Sequence, residues 1–129
     1  MPVNLKEFNA KVGRFTSRLL PEQIQLVKQK VALQLLERIV NMTPVDTGRA
    51  RSNWQVTLDE RSTSVTGPIV SAAQTINTGA AVIAAVSGGQ SIWIANNLPY
   101  IEPLENGHSS QAPAGMTAVA LAEVGSQFG

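Results

Sequence analysis

The residues able to do chemistry are few. The 129-residue chain holds one histidine, His108, followed directly by Ser109 and Ser110. Folding can bring Asp46 to them, and a Ser–His–Asp relay is recognised by geometry rather than by chain order. The G-x-S-x-G turn that presents a strained nucleophilic serine does not occur in the sequence. A lone His beside serines is common in chains of this size, so His108 reads more simply as a polar loop or interface residue. Glu102 and Glu105 stand three apart around Pro103. Paired carboxylates can do acid–base work or hold a hard cation. A cation cage would need backbone carbonyls to complete it, and hydrogen bonding or pairing with Arg49 or Arg51 is the plainer role. Those two arginines flank a single residue and can touch phosphate, with carboxylates as their default partners. Gly88-Gly89 lacks the following Lys-Ser/Thr of a phosphate loop. With no cysteine there is no disulfide, thiolate nucleophile or thiolate metal site. These residues support no enzyme, metal or cofactor assignment.

What they support better is a contact surface. Tyr100 and Leu104 are an aromatic and an aliphatic anchor in a neutral, Pro-rich stretch. Such anchors carry binding energy at interfaces, although they can equally plug the chain's own core. Trp54 and Trp93 are core or interface residues. The charge distribution points the same way. Charged residues make up 15% of the chain, against roughly 25% in ordinary soluble domains. All ten Lys and Arg lie at or before Arg61. The first 61 residues carry ten basic and six acidic groups, a net +4, while the remaining 68 carry only Glu102, Glu105 and Glu123, a net −3. So neutral a second half is either a surface rich in Ser, Thr, Asn and Gln or a poor monomer surface that is buried against other subunits. A net charge of +1 without a basic cluster argues against avid nucleic-acid binding. Residues 2–11 lack the apolar core of a secretory signal, and the longest apolar run, residues 79–86, is far below the roughly 20 residues of a membrane span.

The elements that must position these groups follow from periodicity. Leu5, Phe8, Val12, Phe15 and Leu19 repeat at spacings of three and four, which predicts a helix over residues 1–20. Asn4 and Glu7 resemble its capping box, and Gly13 weakens it. Residues 22–41 read as a long amphipathic helix. Ile24, Val27, Val31 and Leu35 form one stripe, and Leu26, Leu33, Leu36 and Val40 a second beside it. A face this broad calls for cover from a sheet and from another element. Residues 43–53 are a turn, in which Asp46 can accept backbone N–H bonds. Residues 53–60 alternate as a half-buried strand, with Trp54, Val56 and Leu58 on one face. Residues 61–66 are a polar turn or a short second strand, ended by Gly67-Pro68. Helix is expected over residues 69–86, a short strand over 91–96 and a small helix over 115–125. Residues 97–114 read as a long loop without periodicity, the kind that is usually functional or bound by a partner. The expected fold is one α+β domain. A small antiparallel sheet packs against the long amphipathic helix, flanked by an N-terminal helix and a short C-terminal helix.

Two segments carry a resemblance. One is TPVDTGRARSNW, residues 43–54, between the long helix and a strand. The other is NNLPYIEPLENGHSSQAPAGM, residues 96–116, between a short strand and the terminal helix. In this order and at this separation they resemble a widespread family of tailed-phage and prophage proteins, the small head–tail joining or tail-completion components of long-tailed phages. The family's best conserved elements correspond to Pro44, Val45, Asp46, Thr47, Gly48, Arg49 and Trp54. In the second segment they correspond to Pro99, Tyr100, Leu104, Glu105, Gly107, Ser109, Ala112, Pro113, Gly115 and Met116. Members often carry basic residues in the terminal helix, whereas residues 114–129 here hold only Glu123.

The resemblance implies a virion structural protein acting by assembly rather than catalysis. It would form a ring, hexameric like the tail tube, at the head–tail junction, after assembly in the host cytoplasm. Its partners would be sister subunits, the tube protein and the head connector. DNA would pass through the lumen without sequence-specific binding, and a lining almost free of Lys and Arg would let it slide. Asp46, Arg49, Arg51, Trp54, Tyr100, Glu102, Leu104, Glu105 and His108 are the expected contact residues. A head-to-tail ring needs two different complementary patches, and Arg49 or Arg51 meeting Glu102 or Glu105 of the next subunit would supply them. The alternatives are a head-side connector or stopper ring of the neck, and a non-viral multimeric adaptor.

Overall fold

The computed structural model describes residues 5–45, 48–107 and 115–128. Its elements in chain order are α1 (Leu5–Thr16), α2 (Pro21–Met42), α3 (Arg49–Ser52), β1 (Gln55–Leu58), α4 (Ala72–Ala84), β2 (Ile92–Ala95), α5 (Ile101–Glu105) and α6 (Thr117–Gly125). A 3₁₀ turn, Ser126–Phe128, follows α6. The fold is α+β, with a two-stranded antiparallel sheet among six helices.

α2 is the spine. Pro21 occupies its first turn, where a missing N–H costs nothing. The Leu20 N–H donates to the Gln23 side chain (2.9 Å), closing the entry. The C-terminal half buries Ala32, Leu36, Ile39 and Val40. Val56 of β1, Ile83 of α4, and Met116 and Ala120 of the terminal segment complete that core. α4 runs back along α2. The α2 side chains of Gln25 and Gln29 donate to the carbonyls of Val86 (3.0 Å) and Ile83 (3.2 Å). The Val86 carbonyl lies just past the end of α4, and the Ile83 carbonyl also accepts the Val86 N–H (3.2 Å). Further along, Gly79 lies so close that a Cβ there would come within 2.5 Å of Leu36 and 2.7 Å of Val56. Only glycine lets α4 sit between helix and strand at that point. Ser71 starts α4 by accepting from the Gln74 N–H (3.0 Å), so the helix begins at Ala72 rather than at residue 69.

The strands pair Val56 with Ile94 and Thr57 with Trp93. Val56, Ile92 and Ile94 therefore share the inner face, and Trp93 is 42% exposed on the outer one. Asp59, at the strand end, adopts a left-handed backbone (φ 67°). Its carboxylate accepts from the Ser91 N–H (3.1 Å) and the Gln90 amide (3.2 Å), which holds the pairing closed.

Four expectations need correction. The broad face of α2 is covered only along its C-terminal half, while Leu26 is 66% and Ile24 39% exposed. A helix of 22 residues spans about 33 Å, whereas a four-residue strand spans about 13 Å, so this sheet cannot roof it. What remains is an apolar opening of about 350 Å³ between α1, α2 and β2. Of the two readings of residues 61–66, polar turn or short strand, only the strand falls, because side-chain amides hold their backbone. Gln55 donates to the Ser64 carbonyl (2.8 Å), and Asn97 to those of Ser62 and Ser64 (2.9 Å each). The turn at 43–53 contains the one-turn helix α3. The supposed loop after residue 96 contains α5, with Pro103 in its first turn, where no helical donor is needed. The capping box at Asn4 lies outside the described residues.

Candidate assembly interface

The first motif segment is locked to the core. Thr43 donates its hydroxyl to the Ile39 carbonyl (2.6 Å) and accepts from the Trp54 indole N–H (2.8 Å), both buried. Trp54 is thus a core residue that ties the end of α2 to β1. Gly48 has φ 83°, which favours glycine, and a Cβ there would press on Ile69 at 3.1 Å. Ser52 accepts from the Val70 N–H (2.9 Å). Asn53 has no exposed surface. It donates to the carbonyls of Arg49 (2.8 Å) and Thr66 (3.3 Å) and accepts from the Thr66 N–H (2.8 Å). These bonds strap residues 61–70 across the motif. The buried side chains of Thr43, Ser52, Asn53 and Trp54 are therefore paired, as burial requires.

The second segment is keyed to the first. Buried Asn96 donates to the Ala50 carbonyl (2.8 Å) and accepts from the Leu98 N–H (3.2 Å). Leu104 packs against the main core. Tyr100, by contrast, stays 42% exposed. Glu105 closes the segment on itself. Its carboxylate accepts the backbone N–H groups of Met116 (3.1 Å), Thr117 (2.8 Å) and Ala118 (3.2 Å). These are orphan donors at the start of α6, where negative charge is also favoured by the helix dipole. Gly115 (φ 83°) must be glycine for this, since a Cβ would collide with the Glu105 backbone carbonyl and stand 2.6 Å from its carboxylate.

The structure therefore sorts the expected contact residues. Trp54 and Leu104 face their own core, and Glu105 is spent on α6 rather than on an arginine. Arg49 is exposed and has a partner of its own. Tyr100 and Glu102 are exposed on or next to α5. Arg51 is half-buried, and its Nε lacks a hydrogen-bond partner among the described residues. Asp46 and His108 lie outside the described residues. Glu102 borders a cavity of about 300 Å³ whose walls include Arg61, Trp93, Ile94, Ile101 and Thr117. Arg61 there donates to the Asn97 side chain (3.3 Å). From the sequence Trp93 reads as a core or interface residue, and Arg61 carries no mark of a site. Trp93's outward place in the strand alternation was the available signal, while Arg61 joins the cavity only through folding.

The surface so formed combines an aromatic cavity, an exposed tyrosine and a carboxylate at the rim. It has the composition of a protein contact, with aromatic anchors and a polar border. Comparison with known protein families, with curated proteins and with solved structures finds no match to this chain.

Proposed function

We propose that the chain is a virion structural protein of the tailed-phage head–tail junction, a ring subunit that completes the tail tube and docks it to the head connector. The observation that carries this reading is the pair of motif segments, present in order and at the right separation. The fold supports it by making the two segments one unit. Asn96 joins them through the Ala50 carbonyl, and Glu105 ties the second to α6. Exposed Trp93 and Glu102 line the cavity at that unit's edge, and exposed Tyr100 directly precedes Ile101 of its wall, so a neighbour can bind there. The mechanism is docking by complementary surfaces, with DNA passing along a lining that does not grip phosphate.

A pull-down tests the reading. The tagged chain is offered the tube protein of the same genome and, separately, the portal-bound connector. Retention of tube protein is the expected result. Retention of the connector alone moves the ring to the head side of the neck, and retention of neither defeats the proposal.

A further inference from the structure

We infer that the free edge of β2 pairs with β2 of a second copy of this chain, antiparallel about a two-fold axis at Trp93. The ladder fixes which groups face that edge. The Asp59 N–H donates to the Ser91 carbonyl (2.8 Å), which puts a hydrogen-bonded position at Asp59 and Ser91. Such positions alternate along an antiparallel ladder. Thr57 with Trp93 and Gln55 with Ala95 are therefore the bonded pairs, and the backbone N–H and C=O groups of Ile92 and Ile94 point away from β1. Among the described residues no strand lies on that side of β2 and no hydrogen bond reaches those groups. The outer edge of β1 is not equally open. The Leu58 carbonyl accepts from the Glu60 N–H (2.8 Å), and the Gln55 amide holds Ser64 beside the strand (2.8 Å).

The edge is complementary to itself. Its outward groups sit on Ile92 and Ile94, symmetrically about Trp93. In an antiparallel self-pair, Ile92 of each copy exchanges both backbone bonds with Ile94 of the other, and the two Trp93 residues become direct neighbours across the axis. Edges that stay free are usually guarded by charge, proline or a bulge. Residues 87–98 contain no charged residue and no proline. Trp93 is 42% exposed, and its indole N–H donates to the Asp59 carbonyl (3.1 Å), toward β1, so the ring leaves the edge clear. On the inner face Ile92 and Ile94 border the apolar opening beside Val27, Val31 and Leu35 of α2. Directly opposed residues share a face, so the isoleucines of the second copy extend that apolar wall. Lys28, also at the opening, is tied to the Gln90 carbonyl, and the axis sets its two copies at opposite ends of the joint. The same patch serves both partners, so the contact closes at two copies. It concerns the free chain and stands apart from the head-to-tail ring contact.

Sedimentation equilibrium of the free chain over a concentration series is expected to show a dimer. Trp93→Lys sets two ammonium groups opposite each other and is expected to weaken that dimer at least about tenfold, with circular dichroism melts confirming the fold. Cross-linking reads the register. The chain has no cysteine, and the axis brings the two Trp93 Cα atoms to about 4.5 Å, within disulfide reach. Oxidised Trp93→Cys is therefore expected to run as a covalent dimer. Thr57→Cys, about 14 Å from its counterpart across three strand spacings, is expected to stay single. Wild-type chain supplies a test that needs no variant: hydrogen exchange at the Ile92 and Ile94 amides should slow at least about tenfold from dilute to concentrated protein. A wild type that stays monomeric throughout, amides indifferent to concentration, or Thr57→Cys that links as fast as Trp93→Cys overturns the pairing. Protection of these amides that appears only when tube protein is added assigns the edge to another chain, and also overturns it.

Discussion

Replacing Glu105 separates a structural role for this residue from a role between subunits. Its carboxylate takes three N–H groups at the start of α6, two on Oε1 and one on Oε2. Glu105→Gln keeps one acceptor oxygen, removes the charge facing the helix dipole and leaves the Ala118 N–H opposite an amide donor. Loss of the dipole interaction and of one charged hydrogen bond should cost about 1–2 kcal/mol. Glu105→Ala removes all three acceptor contacts, but half-exposure lets water replace part of them, so the cost should be about 2–3 kcal/mol. With an unfolding entropy near 2.1 cal/mol/K per residue, 1 kcal/mol corresponds to about 4 °C in a chain of this length. Glu105→Gln is therefore expected to lower Tm by about 4–8 °C and Glu105→Ala by about 8–12 °C. Gly115→Ala provides the partner for a double-mutant cycle, because its Cβ would meet the same carboxylate. Part of that collision disappears in Glu105→Ala, so the two changes should couple by at least about 0.5 kcal/mol. Melting curves followed at 222 nm give all four values. A Glu105→Gln chain that melts within a degree of wild type yet fails to assemble would refute the capping role and return Glu105 to the interface.

Three further expectations come from the fold. Gly13 is exposed with open space around it, so Gly13→Ala should stabilise by about 1 kcal/mol, while Gly79→Ala should destabilise despite the same propensity gain, because its Cβ meets Leu36 and Val56; denaturant titration gives both signs. Asn53→Ala should cost about 2–3 kcal/mol by stranding the Thr66 and Arg49 backbone groups, and hydrogen exchange at the Thr66 amide should speed up beyond the global change. Trp54→Phe should cost about 1 kcal/mol for its hydrogen bond to Thr43, and Thr43→Val should add little more in the double variant.

The elements most legible in the sequence were those with enough length to show a period. α2 announced itself by two apolar stripes and by Pro21, and the strands by alternation about Val56 and Trp93. α3 and α5 are a turn each, too short for any period, and Pro103 disguised α5 as a loop. Residues 61–66 left turn and strand both open, because their backbone is held by Asn53, Gln55 and Asn97, which only folding brings beside them. The uncovered start of α2 was hidden because amphipathicity tells which face seeks cover and not how long the cover is. The candidate site was read in part. Glu102 and Tyr100 stay outward, while Leu104 turns to the core. Glu105 could not be assigned from local pattern, since its partners lie eleven to thirteen residues away across Gly115. Glu123, the lone charge of the terminal helix, finds Arg38 85 positions earlier, a pair that exposure leaves worth little.

Assembly into a ring at the tail end is decided by cryo-electron microscopy of the purified chain mixed with tail tubes. A closed ring capping one end of each tube, with an open lumen, is the expected result. Tubes with bare ends in the presence of a folded, monomeric chain would contradict it.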